Sequence, residues 1–233
     1  MHLFYLPGFI PGEINELPED ESKHAVKVLR LSSGDKMEIT DGKGSVYLTE
    51  VIDSGNKVCR FKILSQTTSK PRDYYIHVAI APTKNADRIE WFVEKCIEIG
   101  IDEISFIQCA RSERKNINLE RIEKIAVSAL KQSQTTFFPV LNPLTPYKSF
   151  VETCQAEHKF IGYLSEEHKE LLQKIVPPNS RYCILIGPEG DFTQEEVALA
   201  FKNNFKPASL GNNRLRTETA GIAACHIFNI INS

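Results

Sequence analysis

The sequence predicts an α/β protein in two parts, a small antiparallel β-barrel over residues 1–70 and a larger domain with a mainly parallel sheet over residues 71–233. Two observations carry this division. Short runs of alternating apolar and polar residues, joined by tight turns, fill the first part, as half-buried strands do. Beyond Tyr75, continuous β-branched runs alternate with helical spacing, the pattern of a parallel sheet covered on both faces. Between them Gln66-Thr-Thr-Ser-Lys-Pro-Arg72 is polar, holds a proline and reads as a linker.

In the first part, His2–Leu6 opens a strand, and Glu19–Leu31 has helical spacing with Ala25, Val26 and Leu29 on one side. Lys36–Thr40, Ser45–Ile52 and Lys57–Leu64 follow as strands, with turns at Asp41-Gly-Lys-Gly44 and Asp53-Ser-Gly-Asn56. In the second part the expected order starts with strand Tyr75–Ala81, helix Asp87–Ile99 closed by Gly100, strand Glu103–Gln108 and helix Asn118–Ser133 capped by Asn118. Strand Lys159–Leu164, helix His168–Ile175, strand Arg181–Ile186, helix Thr193–Asn203, strand Ala208–Leu210 and helix Thr217–Ile231 complete it. No repeat or low-complexity stretch interrupts the order.

Composition is that of an ordinary globular chain, with 42% hydrophobic and 25% charged residues. The first eleven residues are apolar but lack a basic leader and a cleavage site, and no apolar run is long enough to span a bilayer. The cytoplasm is the expected compartment, and no membrane partner is expected. The six cysteines are scattered without a CxxC pair, and several sit in apolar runs, so free buried thiols are expected. The histidines show no ligand spacing such as HExxH, and no metal is assigned. A net charge of −2 gives no global sign of a nucleic-acid partner, although a local basic strip still permits one.

Four segments carry candidate chemistry. In Ile184-Leu-Ile186-Gly187-Pro188-Glu189-Gly190-Asp191-Phe-Thr193, a buried strand runs into a glycine-rich loop and then a helix, and Thr193 with Glu196 forms a capping box. Open α/β sheets bind ligands at such carboxyl ends of strands, yet a tight connection without a ligand has the same look. The loop matches neither a Walker A pattern nor GxGxxG. In Ser209–Gly221 a short strand ends in Gly211 and a polar loop, and Arg214, Arg216 and Glu218 meet the start of an apolar helix. Solvated arginines beside a helix cap, or a loop facing a phosphate, both fit. Thr83-Lys84-Asn85 with Arg88, Glu90, Glu94 and Glu98 follows the first strand of the second part and reads equally as a solvated helix face. From Arg111 to Lys131 six basic residues stand against Glu113, Glu120 and Glu123, a candidate phosphate-contacting strip or plain surface.

Taken in order, these segments resemble the small-subunit ribosomal RNA uridine N3-methyltransferases of the SPOUT class. The resemblance is carried by His24-Ala-Val-Lys-Val-Leu-Arg30, Gly34-Asp35 and Asp41-Gly-Lys-Gly44 in the first part. Lys84, Glu94-Lys-Cys-Ile-Glu98-Ile-Gly100 and Arg111-Ser-Glu-Arg114 carry it in the middle, and Ile186-Gly-Pro-Glu-Gly190 and Leu210-Gly211 with Leu215-Arg216-Thr-Glu-Thr-Ala220 near the end. It implies a PUA-like RNA-binding barrel and a domain with a deep trefoil knot, an exception to unknotted connectivity. It further implies S-adenosylmethionine as methyl donor, small-subunit ribosomal RNA or the small subunit as substrate, and a homodimer. The residues it implies for the cofactor are Leu164, Ile186, Gly187, Pro188, Glu189, Gly190, Leu210, Gly211, Leu215 and Thr219, with main-chain groups doing much of the holding. Arg216, with Glu189 or Glu218 as proton acceptor, is expected to act in catalysis, and Arg30, Lys84, Arg111, Arg114 and Lys115 to contact RNA. Two departures stand out: Asp191 where the family commonly has a second glycine, and His2 where it commonly has an arginine. Rival readings are another RNA target, such as ribose 2′-O-methylation of transfer RNA, and a non-catalytic ribosome-assembly factor.

Overall fold

A computed structural model describes residues 1–55, 58–163 and 170–233. The chain divides into two compact units, Met1–Pro71 with Leu130–Phe138, and Arg72–Ala129 with Pro139–Ser233.

In the first unit β1 (Leu3–Tyr5), β2 (Asn15–Glu16), β3 (Lys36–Thr40), β4 (Ser45–Ser54) and β5 (Cys59–Thr68) make a curled sheet in the order β1-β3-β4-β5-β2. Its pairings are antiparallel except β1 on β3, which run parallel. The expected antiparallel pairing holds except there, because the long connection after β1 carries the chain back to start β3 in the same direction. That connection holds α1 (Glu19–Lys23) and a π-turn over His24–Val28, and the helical stretch stops before Arg30, which has φ of 58°. The expected helix Glu19–Leu31 is therefore shorter and wider-wound than its spacing suggests.

β5 reaches Thr68, so the expected linker from Gln66 is partly strand. Thr68, Thr67 and Gln66 pair with Ser45, Val46 and Tyr47. Ladder hydrogen bonds to β4 satisfy this polar stretch, overriding its composition. Phe4, Leu17, Met37, Ile39, Val51 and Phe61 form the core inside the curl. Phe138, brought from the distant Leu130–Phe138 segment, stacks on Tyr5 with ring centres 4.9 Å apart.

The second unit is a six-stranded sheet in the order β11-β9-β10-β6-β7-β8, parallel in every pairing. Its strands are β6 (Tyr75–Ile80), β7 (Glu103–Gln108), β8 (Val140–Pro146), β9 (His158–Gly162), β10 (Arg181–Ile186) and β11 (Lys206–Ala208). The helices are α2 (Ala86–Ile99), α3 (Leu119–Ser133), whose last residues from Leu130 belong to the first unit, α4 (Tyr147–Thr153), α5 (Leu172–Ile175), α6 (Gln194–Lys202) and α7 (Thr217–Ile231). α7 packs on β6, β10 and α2, while α4 packs with α6 over the far end of the sheet.

Local chemistry fixes most of these boundaries. Asn85 caps α2 through the Asp87 N–H, and Gly100 closes it at φ of 104°. Asn118 accepts the Arg121 N–H at the start of α3. Thr193 and Glu196 exchange both hydrogen bonds of a capping box at α6. β8 and α4 have no counterpart in the pattern read from the sequence. Pro143 and Pro146 speak against a strand, but β8 is the sheet edge, where proline is tolerated. The last short strand is Lys206–Ala208, two residues earlier than expected, because Ser209 turns away to pair with Leu171. Of the expected strand Lys57–Leu64, Lys57 lies outside the described residues, as do Leu164 at the end of the strand expected after Lys159, and His168 and Lys169 in the expected short helix. The cysteines are free thiols, five of them buried. No helix among the described residues is long and apolar enough to cross a membrane.

Candidate active site

The carboxyl ends of β9, β10 and β11 and the described residues that follow them line a cavity of about 330 Å³. Gly162 and Tyr163 line it at the end of β9, Ile186–Glu189 and Asp191 at the end of β10, and Ala208, Leu210, Gly211 and Asn213–Thr217 at the end of β11. Arg88 from α2 and Ala220 from α7 complete the wall. The three strands lie side by side, β11 on β9 and β9 on β10, so parallel pairing alone gathers loops far apart in sequence.

Hydrogen bonds tie the loops to one another. The Thr217 hydroxyl donates to the Gly187 carbonyl at 3.0 Å, joining the start of α7 to the glycine-rich loop. The Lys84 N–H donates to Glu189 Oε1 at 2.9 Å. Arg111 Nη1 donates to the Gly190 carbonyl at 2.8 Å, and Arg114 donates to the carbonyls of Thr83 and Lys84 at 2.9 and 2.7 Å. The buried Glu196 accepts the Ala110 N–H at 2.7 Å while capping α6. Ser209, paired through its main chain to Glu170 and Leu172, accepts the Gly211 N–H on its hydroxyl. Gly211 has φ of 139°, a conformation that favours glycine.

The structure sorts the residues singled out above. Ile186, Gly187, Pro188, Glu189, Leu210, Gly211 and Leu215 line the cavity. Gly190 stands behind the loop, where an added Cβ would lie 3.2 Å from the Arg111 Cβ. Thr219 is also off the wall, and Leu164 lies outside the described residues. Arg216 lines the cavity as the N-cap of α7, with an exposed side chain. Glu218 is buried at 5% exposure, and its Oε2 has no hydrogen-bond partner among the described residues. Sequence reasoning misses Gly162, Tyr163, Ala208 and Arg88 as wall residues, and it reaches Asn213, Arg214, Thr217 and Ala220 only as parts of the Ser209–Gly221 segment. The apolar strand ending at Gly162 carried a signal for the first of these. Arg88 carried none, since it belongs to a charged helix face. Lys84, Arg114 and Lys115 share a shallow surface depression with Glu113 and Asn116. Lys84 pairs with Glu113 at 2.8 Å, and Arg111 and Arg114 spend donors on loop carbonyls. Arg30 belongs to the first unit and is exposed.

Asp191 occupies a left-handed position at φ of 61°, with its N–H donating to the Pro188 carbonyl in a tight turn. Aspartate tolerates this conformation better than most residues, but glycine adopts it without strain. Replacing Asp191 with Gly is expected to change stability by less than about 1 kcal/mol, because relief of the left-handed backbone is offset by loss of the hydrogen bond that Asp191 Oδ1 accepts from the Phe192 N–H and by glycine's greater freedom in the unfolded chain. Chemical denaturation of the two proteins measures this.

A polar cluster sits at the opposite, amino-terminal edge of the same sheet. His77 Nε2 lies 2.8 Å from the Ser105 hydroxyl, Asn142 donates to Glu103 and Ser105, and Tyr75 donates to Glu103. These groups satisfy each other, and they account for polar residues on an otherwise apolar face. Burial pushes the His77 imidazole down from its ordinary 6.5 to about 4, against the pull of Glu103. The sign follows from the lowered value. Above pH 6.5 neither folded nor unfolded chain holds the proton, and the full stability is present. Between pH 6.5 and about 4 only the unfolded chain takes it, so stability falls as pH falls. The loss amounts to on the order of 3 kcal/mol over that window. Denaturation of wild type and His77→Gln at pH 7 and pH 4.5 checks it: the wild type should lose more.

Comparison with known proteins places this geometry. Residues 70–229 match the family model described as an RNA methyltransferase domain, and residues 17–64 match an RNA methyltransferase PUA domain. The ribosomal RNA small subunit methyltransferase E of Buchnera aphidicola (Acyrthosiphon pisum) is 30% identical over 216 residues, covering 88% of this chain and 83% of the relative. The chain belongs to the ribosomal RNA small subunit methyltransferase E family. It is an RNA methyltransferase with a PUA domain in its first unit. Two solved structures share the whole fold. A probable rRNA-methyltransferase from Porphyromonas gingivalis is 39% identical with a TM-score of 0.92, covering 100% of this chain and 98% of its own. The methyltransferase E of Neisseria gonorrhoeae, solved bound to S-adenosyl methionine, is 26% identical with a TM-score of 0.90 and the same coverage.

Proposed function

We propose that this methyltransferase transfers the methyl group of S-adenosylmethionine to N3 of a uridine in small-subunit ribosomal RNA. The observation that carries the reading is the cavity at the ends of β9, β10 and β11. Its volume of about 330 Å³ lies in the range of small-molecule sites, roughly 300–1,000 Å³. The donor chemistry fits as well. Ile186, Ala208, Leu210 and Leu215 offer apolar surface for an adenine, and the loop backbones at Gly187, Leu210 and Gly211 offer main-chain groups. The Glu189 carboxylate on the wall suits a cation.

When bound, S-adenosylmethionine supplies a methyl already activated by the positive sulfonium. The protein's tasks are then to place the base in line and to manage one proton, since uridine N3 carries hydrogen at neutral pH. Glu189 takes that proton, and Arg216 stabilises the negative charge that develops on the uracil ring. Asp191 also lines the wall, and Glu218 lies near it but is shut in beside Arg88. The PUA unit, with Arg30, holds the RNA, and Lys84, Arg111, Arg114 and Lys115 add phosphate contacts beside the cavity. Arg111 and Arg114 do so while also holding the loops. Two copies of the chain complete the target site as a homodimer, and a ribosomal substrate places the enzyme in the cytoplasm.

The test is incubation with labelled S-adenosylmethionine and unmethylated small ribosomal subunits, followed by digestion to nucleosides. Label in N3-methyluridine is the expected result. Label in a 2′-O-methylated nucleoside would move the target chemistry, and RNA binding without label would leave only an assembly role.

A further inference from the structure

We propose that Arg88 is the anion-binding residue of the cavity, positioned by the buried Glu218, and that it receives a carboxylate or phosphate oxygen from a ligand. This inference rests on the cofactor-site reading above and adds a residue and a ligand group to it. Arg88 lines the cavity from α2, and its side chain is 39% exposed. Among the described residues its guanidinium makes no hydrogen bond, and its one ionic neighbour is Glu218, with Arg88 Nε 3.7 Å from Glu218 Oε1. That is ion-pair distance without a hydrogen bond, so the fork of N–H donors stays unspent.

Glu218 explains why Arg88 differs from Arg214 and Arg216, the other two arginines on the wall. Those side chains are exposed on the loop before α7. Glu218 lies in the first turn of α7 with its side chain 6% exposed and Oε2 without a partner. A carboxylate buried this way is costly unless opposite charge answers it, and the positive end of the α7 dipole and Arg88 do so. The pair therefore holds one cation at a fixed place on the wall, short of the two-point contact that would use it up. An anionic ligand oxygen completes its coordination.

Two anions reach this cavity on the reading above: the carboxylate of the methionine moiety, and a phosphate next to the target uridine. Three titrations separate them, each on wild type and Arg88→Ala. The probes are S-adenosylhomocysteine, which carries the carboxylate, 5′-methylthioadenosine, which is the same thioether without the amino acid, and naked small-subunit ribosomal RNA. If the carboxylate is the ligand, Arg88→Ala weakens S-adenosylhomocysteine by about tenfold to a hundredfold and leaves methylthioadenosine unchanged. If the phosphate is the ligand, RNA binding falls and both nucleosides bind as before. Either split supports the proposal, because a damaged cavity would weaken methylthioadenosine too. Glu218→Gln should shift the same ligand in the same direction by less. Equal weakening of both nucleosides, or no change for any probe, overturns the assignment of Arg88. Wild type that binds neither nucleoside overturns the cofactor reading, and this inference with it. Arg88→Lys, which keeps the charge and loses the fork, replaces the alanine variant if that one does not fold.

Discussion

Arg216→Ala should lower the turnover of methyl transfer by about a hundredfold to a thousandfold, the scale of removing one preorganised donor from a developing charge. Affinity for S-adenosylmethionine should change little. The residue is well placed for such a clean separation. It caps α7 by backbone conformation, without a side-chain hydrogen bond, and its side chain is exposed at the cavity. Its removal therefore costs the fold almost nothing. Single-turnover rates on small subunits, with cofactor affinity measured separately, check this. Near-normal turnover would take Arg216 out of the mechanism.

Gly221→Val should strongly destabilise the second unit. Gly221 is buried on α7 where the helix crosses α2, and a Cβ added there would lie 2.4 Å from Phe92 Cε2 and 3.1 Å from Ile80 Cδ1. Phe92 and Ile80 are both fully buried and have no open space to retreat into. Alanine gains about 1 kcal/mol in helix propensity over glycine, which offsets part of the clash. Overpacking of this kind costs about 1–3 kcal/mol or more, and valine adds two methyls to the conflict. We expect Gly221→Ala to lose about 1–2 kcal/mol and Gly221→Val about 3 kcal/mol or more in denaturant unfolding. The same crossing holds the α7 N-terminus against Gly187, so loss of packing should also loosen the cavity.

How far these features are legible without coordinates depends on how local their causes are. The caps at Asn118 and Thr193 and the close at Gly100 follow from residues within three or four positions and are legible in the sequence, whereas the Asn85 cap of α2 was not among the expected ones. β8 was not, because Pro143 and Pro146 lower strand propensity and only an edge position makes them harmless. The end of β5 was hidden for the opposite reason: polar Gln66–Thr68 is strand only because β4 lies beside it. In the site, the glycine-rich loop and the Leu210–Ala220 segment announce themselves by composition. Tyr163 and Arg88 join the wall through the β11-β9-β10 order and the packing of α2 on α7, which no single segment encodes. The stapling roles of Arg111 and Arg114 were equally invisible, since their acceptors are carbonyls far away in sequence.

The central claim is that the cavity at the ends of β9, β10 and β11 takes the methyl donor. Calorimetric titration with S-adenosylmethionine, on wild type and on Ala220→Trp, tests it most directly. Ala220 lies on the wall, half-buried in the first turns of α7, so an indole there fills the space. The account predicts saturable binding to wild type and none to the tryptophan variant with its fold retained. Undiminished binding to Ala220→Trp would contradict it and place the cofactor elsewhere.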